Sequence, residues 1–394
     1  MQIYVKKFKI KNVEKGGNYI NKQLLKVKSN LKKLSFDEGL ILFNIIMIFS
    51  WYRVSPYVTG ITALFFLFVP KKRAELLKIP KIYFLSAWML LTFVTGLVCL
   101  NFLGVASGLL FDLFIVFALY TWVVMTHELS EKIIILVSFM SILAFIYAVI
   151  EFLITHKRTS STFFNPNFYG YLCELIFVIC LYALLKINRF KLLFLLGLVA
   201  NSGGIALSGC RSAIYAVVIG VLILLLCLKK YLPFIIGLSV TLISGAAVLI
   251  FPQLIPRSGD MTDTIRLREL IWSTAINGIL KHPIFGEGFL SYYFITSGEA
   301  HRAHAHNLLL DALVNYGVVG TTISFIFLIS AILMWIKKLK FSPICALPLA
   351  LLAATMVHGI TDVPVVGYQT GTLVMAMLAL SGVVKMGQKR TILN

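Results

Sequence analysis

The residues able to do chemistry are few, and they stand between long apolar runs. Arg211 lies in SGCRS at 208–212, beside Ser208, Gly209 and Ser212. Small neighbours leave room for an anion to reach the guanidinium, whose planar fork suits phosphate oxygens. Snorkelling of an arginine at a membrane edge is the competing reading. Arg266 and Arg268 fall in TDTIRLRELIW at 262–272, where a helix would put Arg268 and Trp272 on one face. Arginines above a membrane surface suit a pyrophosphate; a solvated amphipathic helix is the plainer alternative. HRAHAHNLLLDALVNYGVVG at 301–320 brings His301, His304 and His306 just ahead of an apolar run. Histidine is the usual general base near neutral pH, and His306 is the candidate. A metal site would need further ligands, and no partner set lies close in sequence, so none is expected.

Two more segments carry polar groups at run ends. HGITDVP at 358–364 sets His358 and Asp362 at a membrane edge, an ionisable pair that suggests a site, with helix capping by Asp362 as the alternative. STFFNPNFYGY at 161–171 follows His156, Lys157 and Arg158 and offers Asn165 and Asn167 among aromatics. Amides and rings suit sugar hydroxyls and faces; an interfacial aromatic belt would look the same. HPIFGEGF at 282–289 reads as a tight turn, with Glu287 a weaker catalytic candidate.

The elements that must hold these residues are set by composition. Of 394 residues, 59% are hydrophobic and only 13% charged, and mean hydropathy is +0.91. No soluble core absorbs that much apolar sequence, so an all-α polytopic membrane protein is expected. Apolar runs at about 38–52, 56–70, 82–100, 103–125, 133–154, 168–185, 192–209, 212–228, 232–251, 308–335, 343–360 and 365–384 predict about twelve spans. With the chain starting inside, 27 of the 36 lysines and arginines fall on inner segments. The net charge of +20 is therefore a positive-inside pattern toward membrane lipids and does not indicate nucleic-acid binding. The organisation predicted is a basic cytoplasmic tail (1–37), spans one to nine (38–251), a large extracytoplasmic catalytic loop with short helices (252–307), and spans ten to twelve with a cytoplasmic end (308–394). The loop is expected to hold amphipathic helix around 262–280. The six cysteines form no CxxC pair, so neither disulfides nor zinc are expected.

Over roughly 160–365 the sequence resembles the superfamily of O-antigen ligases and O-antigen polymerases, bacterial membrane glycosyltransferases. Three motifs carry the likeness: the arginine element CRS with Arg211, where Cys210 replaces a usual serine; Arg268, Trp272, His282, Pro283, Gly286 and Gly288; and His306, Asn307, Gly317 and Gly320 in His-Asn/Gly-x-x-Gly spacing. The resemblance implies a polyprenyl-pyrophosphate-linked glycan donor at the outer face of the cytoplasmic membrane, and a glycan or glycolipid acceptor. Arg211 and Arg268, with Arg266, would hold the pyrophosphate; His306 would act as base on the acceptor hydroxyl. Trp272, Asn307, Asn165, Asn167, His358 and Asp362 are expected at the substrate. Gly317 and Gly320 would allow close helix contact beneath the site. No cofactor, metal or nucleotide sugar is implied. Ligase and polymerase remain open, with the His-Asn/Gly-x-x-Gly element favouring ligase. A twelve-span transporter or flippase is the alternative of another class, with Asp112, Glu151 and Glu174 as its midmembrane charges.

Overall fold

The computed structural model describes residues 34–251 and 261–383. The basic tail falls almost wholly outside the described residues, as do residues 384–394 at the C-terminus. Backbone contacts divide the chain into residues 1–43 and 44–394. In the first unit, Ser35 and Glu38 form a reciprocal capping box: the Glu38 amide donates to Ser35 Oγ at 3.2 Å and the Ser35 amide to Glu38 Oε2 at 3.2 Å. It opens helix α1 (Phe36–Ser50).

The second unit is helical throughout, with no strand among the described residues. After α1 come α2 (Ser55–Phe68), α3 (Pro70–Leu77), α4 (Ile82–Val98), α5 (Phe102–Val124), α6 (His127–Thr155), α7 (Pro166–Lys186) and α8 (Lys191–Ser208). Then follow α9 (Arg211–Cys227), α10 (Tyr231–Ile250), α11 (Met261–Lys281), α12 (Ser291–Ile295), α13 (Leu308–Leu339), α14 (Ala346–His358) and α15 (Tyr368–Leu378). Each apolar run has become a helix, and the expected loop helix is α11. The segment after α2, expected on the inner side, is not plain loop: Pro70 begins the short helix α3, which meets α4 at 101°.

By length and composition α5, α6, α7, α8 and α13 can cross a membrane, and the bent α3–α4 pair would make a sixth. Five further apolar helices are shorter: Ser55–Phe68, Arg211–Cys227, Tyr231–Ala247, Pro343–His358 and Tyr368–Val383. A helix of 17 residues rises about 25 Å, short of a hydrocarbon core of about 30 Å. The expected dozen therefore exceeds what helix length alone supports.

Helix α7 sits deepest, with 72% of its apolar window buried against 17% for α13. It packs on α6, α8, α9 and α14. Its N-terminus carries NPNF and meets the α8–α9 turn, where a Cβ on Gly170 would reach within 2.6 Å of Cys210 Cβ. Segments 161–171 and 208–212, distant in sequence, are thereby brought together.

Candidate active site

The floor of the site is a broken helix. Within α13, Gly317 adopts φ 60° and ψ −170°. The break frees the carbonyls of Val314 and Asn315, which accept from the amides of Glu287 (3.2 Å) and Gly288 (2.9 Å). The amides of Val318 and Val319 donate to Pro283 and Ile284 carbonyls at 2.9 and 3.0 Å. The 282–289 turn is thus laced into the gap. Asn101 ties its far side, donating to the carbonyls of Glu287 (3.3 Å) and Phe289 (2.9 Å). A Cβ on Gly317 would lie 2.4 Å from the Ile284 carbonyl carbon and oxygen. The expected helix-contact role for Gly317 is corrected accordingly: it breaks the helix to receive a turn. Gly320 has its carbonyl accept from Trp88 Nε1 at 3.1 Å. Glu287 pairs with His282 at 3.3 Å within the turn.

Above this floor the segment has a small core of its own. Ile271, Ala275, Tyr292, Ala305 and Val314 are buried together, with Leu267, Trp272 and Leu310 against them. Tyr292 Oη donates to the carbonyls of Ile271 (3.2 Å) and Ala300 (3.3 Å). The arc at 301–307 is pinned by a buried polar ladder. The Ala305 amide donates to Asp311 Oδ1 at 2.9 Å, Asn315 Nδ2 donates to Asp311 Oδ2 at 2.9 Å, and Ser291 Oγ donates to Asn315 Oδ1 at 2.9 Å. This ladder fixes the backbone on which the histidines stand.

His306 occupies the left-handed region at φ 51°, an uncommon state that surrounding bonds must impose. On its far side the Leu308 amide donates to the Gly359 carbonyl at 2.7 Å. His306 Nδ1 donates to Asp362 Oδ1 at 2.8 Å, which leaves Nε2 as the ring atom able to take a proton. Asp362 is buried and also accepts from Asn167 Nδ2 (2.8 Å) and the Val363 amide (2.9 Å). Burial alone would raise its proton affinity. The hydrogen bond from His306, with the neighbouring imidazoles of His304 and His358, outweighs that and holds the carboxyl far below the usual carboxylate range. His304 is buried beside it, Nδ1 3.7 Å from Asp362 Oδ1. Desolvation lowers its proton affinity despite Asp362, so His304 stays neutral near pH 7.

The arginines converge on the same place. Arg268 Nη1 donates to the His306 carbonyl at 3.4 Å. Arg211 Nη2 donates to Thr264 Oγ1 at 3.3 Å, one turn before Arg268 on the same face of α11. Desolvation lowers the pKa of Arg268; Asp362 offsets this, and the nearby charges of Arg211 and Arg302 add to it. Arg268 feels both the Asp362 carboxylate and the Arg211 cation, and two half-buried cations in one place leave positive charge to meet an incoming anion.

Other expected residues are placed differently. Arg266 is exposed and pairs with Glu299 at 3.3 Å. Trp272 lies in the apolar core described above, its Nε1 buried without a partner. Asn307 is expected at the substrate. It instead caps α13, accepting from the Leu309 and Leu310 amides, and donates to the Ile360 carbonyl; Asp362 orients the imidazole. Asn165 caps α7 by accepting from the Phe168 amide at 3.0 Å. Asn167 spends both amide ends on protein, accepting from Arg158 Nη2 at 2.6 Å as well as donating to Asp362. His358 and Asp362 are not a pair: His358 is fully buried and bonds Glu174 at 2.7 Å, with Cys210 Sγ 3.9 Å from its other nitrogen. All six cysteines are free. The sequence reading missed Arg158, Asn101, Glu174, Asp311 and Asn315 as structural partners. The last two carried a signal, polar residues four apart in an otherwise apolar helix.

His304, His306 and Asp362 have ligand atoms all within 4.8 Å of one another, a triad hidden from sequence because Asp362 lies 56 residues beyond His306. The 2.8 Å His306–Asp362 contact is a hydrogen-bond distance already filled by a proton. Arg268 beside Asp362 further disfavours a cation in that gap.

Residues 193–325 match the family model described as O-antigen ligase. No curated protein matches the chain. The match supports the likeness to the O-antigen ligase and polymerase superfamily carried by the three motifs. It runs from α8 into α13 and includes Arg211, Arg266, Arg268, His304, His306 and Gly317. Arg158, Asn167, Glu174, His358 and Asp362 lie outside it. The match and the apolar helices support, in general terms, a multi-pass membrane protein of O-antigen ligase or polymerase type.

Proposed function

We propose that this protein transfers a glycan from a polyprenyl pyrophosphate to an acceptor hydroxyl at the outer face of the cytoplasmic membrane, without a metal. The charge pattern along the chain supports twelve spans with both termini inside; the shorter apolar helices would complete the set by tilting or pairing. In the reaction the acceptor oxygen attacks the anomeric carbon while its proton passes to His306 Nε2. The bond from that carbon to the phosphate oxygen breaks, and the electron pair leaves on the lipid pyrophosphate. Arg211 and Arg268 neutralise the charge developing there. Asp362 stabilises the imidazolium that forms.

The observation that carries this reading is the junction at His306: its ring is held by an ionised carboxylate while its own carbonyl takes Arg268. Base and cation are thereby held within one residue of each other. We favour a ligase acceptor on the His-Asn/Gly-x-x-Gly spacing. Deletion of the gene followed by glycan chain-length analysis tests both points. Free lipid-linked polymer left unattached identifies a ligase, and single repeat units identify a polymerase. Unchanged surface glycan refutes the reading. Metal independence predicts full transfer in EDTA; loss restored by a divalent ion would overturn that part.

A further inference from the structure

We propose that Arg158 and Asn167 are positioning residues which join the arginine turn at 208–212 to the Asp362–His306 pair. The inference rests on the roles given above to Arg211 and His306. The connection is continuous. Arg158 Nε donates to the Ser208 carbonyl at 2.6 Å and Nη2 to Asn167 Oδ1 at 2.6 Å. Asn167 Nδ2 donates to Asp362 Oδ2 at 2.8 Å, and Asp362 Oδ1 accepts from His306 at 2.8 Å. The Ser208 carbonyl belongs to the last residue of α8, and Arg211 opens α9 three residues on. Between them Gly209 takes φ 58°, and a Cβ there would stand 3.2 Å from Arg158 Nε. The glycine therefore leaves room for the Arg158 stem and Nε to approach the turn.

The chemistry assigns direction to each bond. Arg158 has donors only, so Asn167 must present its oxygen to it and its NH2 to Asp362. That leaves Asp362 Oδ2 satisfied and its Oδ1 directed at His306. A planar fork is needed because two acceptors, on different segments, are met from one guanidinium; a lysine amine is a point donor. Helix capping does not require Asn167, since Asn165 already caps α7. Its role is the bridge.

The test uses the full chain in membranes of a deletion strain, which supply their own lipid-linked donor, and binding of undecaprenyl pyrophosphate to the purified protein. A lost hydrogen bond to a charged group corresponds to about ten- to hundredfold in rate. Arg158→Ala and Asn167→Ala should each slow transfer by about that factor while undecaprenyl pyrophosphate binds within about threefold of wild type. Asn167→Asp keeps the shape but sets a carboxylate against Asp362, so it should be no better than alanine; a merely space-filling role would let it work normally. Arg158→Lys should recover only part of the rate. The double alanine variant should be close to the worse single, because both act through one chain of bonds. Normal transfer by Asn167→Asp, or a loss of binding in Arg158→Ala as large as its loss of transfer, overturns the inference. Arg211→Ala and His306→Ala serve as references. If both transfer normally, the proposed function itself fails. If both fail while Arg158→Ala and Asn167→Asp are normal, only this inference falls.

Discussion

Asp362→Asn changes one atom in shape and two things in chemistry. Asp362 accepts three hydrogen bonds, from His306 Nδ1, Asn167 Nδ2 and the Val363 amide. An asparagine has one oxygen to offer. With that oxygen toward His306, its NH2 faces the NH2 of Asn167, which cannot turn over without losing Arg158. With its NH2 toward His306, Nδ1 must accept, the ring proton moves to Nε2, and the base is in the wrong tautomer. In either arrangement the negative charge is gone. For two charges roughly 4 Å apart at an effective dielectric of about 20, that charge is worth about 4 kcal/mol to the imidazolium. Each 1.36 kcal/mol is tenfold in rate, so transfer should fall about 10³-fold, inside the ~10²–10⁴ range of a general base. Binding of undecaprenyl pyrophosphate should be unaffected, since both arginines remain. The assay is initial transfer rate in donor-loaded membranes, with thermal unfolding of the purified variant as the folding control. A folded Asp362→Asn protein with a rate within about tenfold of wild type would show that Asp362 does not serve the base.

Further outcomes follow from the same geometry. Arg211→Ala and Arg268→Ala should abolish transfer and weaken undecaprenyl pyrophosphate binding, with lysine recovering only part because it lacks the fork; normal glycan output from either alanine variant removes it from the pyrophosphate site. Arg266→Ala should stay within about fivefold, since an exposed pair such as that with Glu299 is worth at most about 1 kcal/mol. His304 is neutral in the fold with its pKa lowered by burial, whereas in the unfolded chain it protonates near pH 6.5. The unfolded state binds the proton first, so this term stabilises above about pH 6.5 and is lost as pH falls below it. His304→Gln should therefore lose less thermal stability than wild type between pH 7 and 5; equal losses would refute the assignment. Gly317→Ala would push a methyl into the Ile284 carbonyl in a backbone state alanine avoids. It should cost at least about 2 kcal/mol, read as a lowered unfolding temperature in detergent; wild-type stability would contradict the inserted turn.

What the sequence determined by itself was local. The apolar runs located every helix long and apolar enough to cross a membrane among the described residues, because a stretch without charges in lipid must satisfy its own backbone, and a helix does so within the segment. The turn at 282–289 and the helix α11 were legible for the same reason: glycine, proline and amphipathic spacing act over a few residues. Residue type and position at run ends offered Arg211, Arg268 and His306 as candidates, but the sequence alone left snorkelling and a solvated helix as competing readings for the arginines. What tertiary structure decided was pairing. His306 meets Asp362 across 56 residues, Asn167 meets Asp362 across 195, and His358 meets Glu174 across 184. An asparagine that can cap, bridge or bind sugar is read identically in sequence. Asn165 caps, Asn307 caps and reaches across to α14's end, and Asn167 bridges; only the approach of α7 to the end of α14 chose among these roles. Gly317 shows the same division. Its small size was evident in the chain, but whether a helix or an inserted turn would fill the space at its Cα depended on where residues 282–289 came to lie.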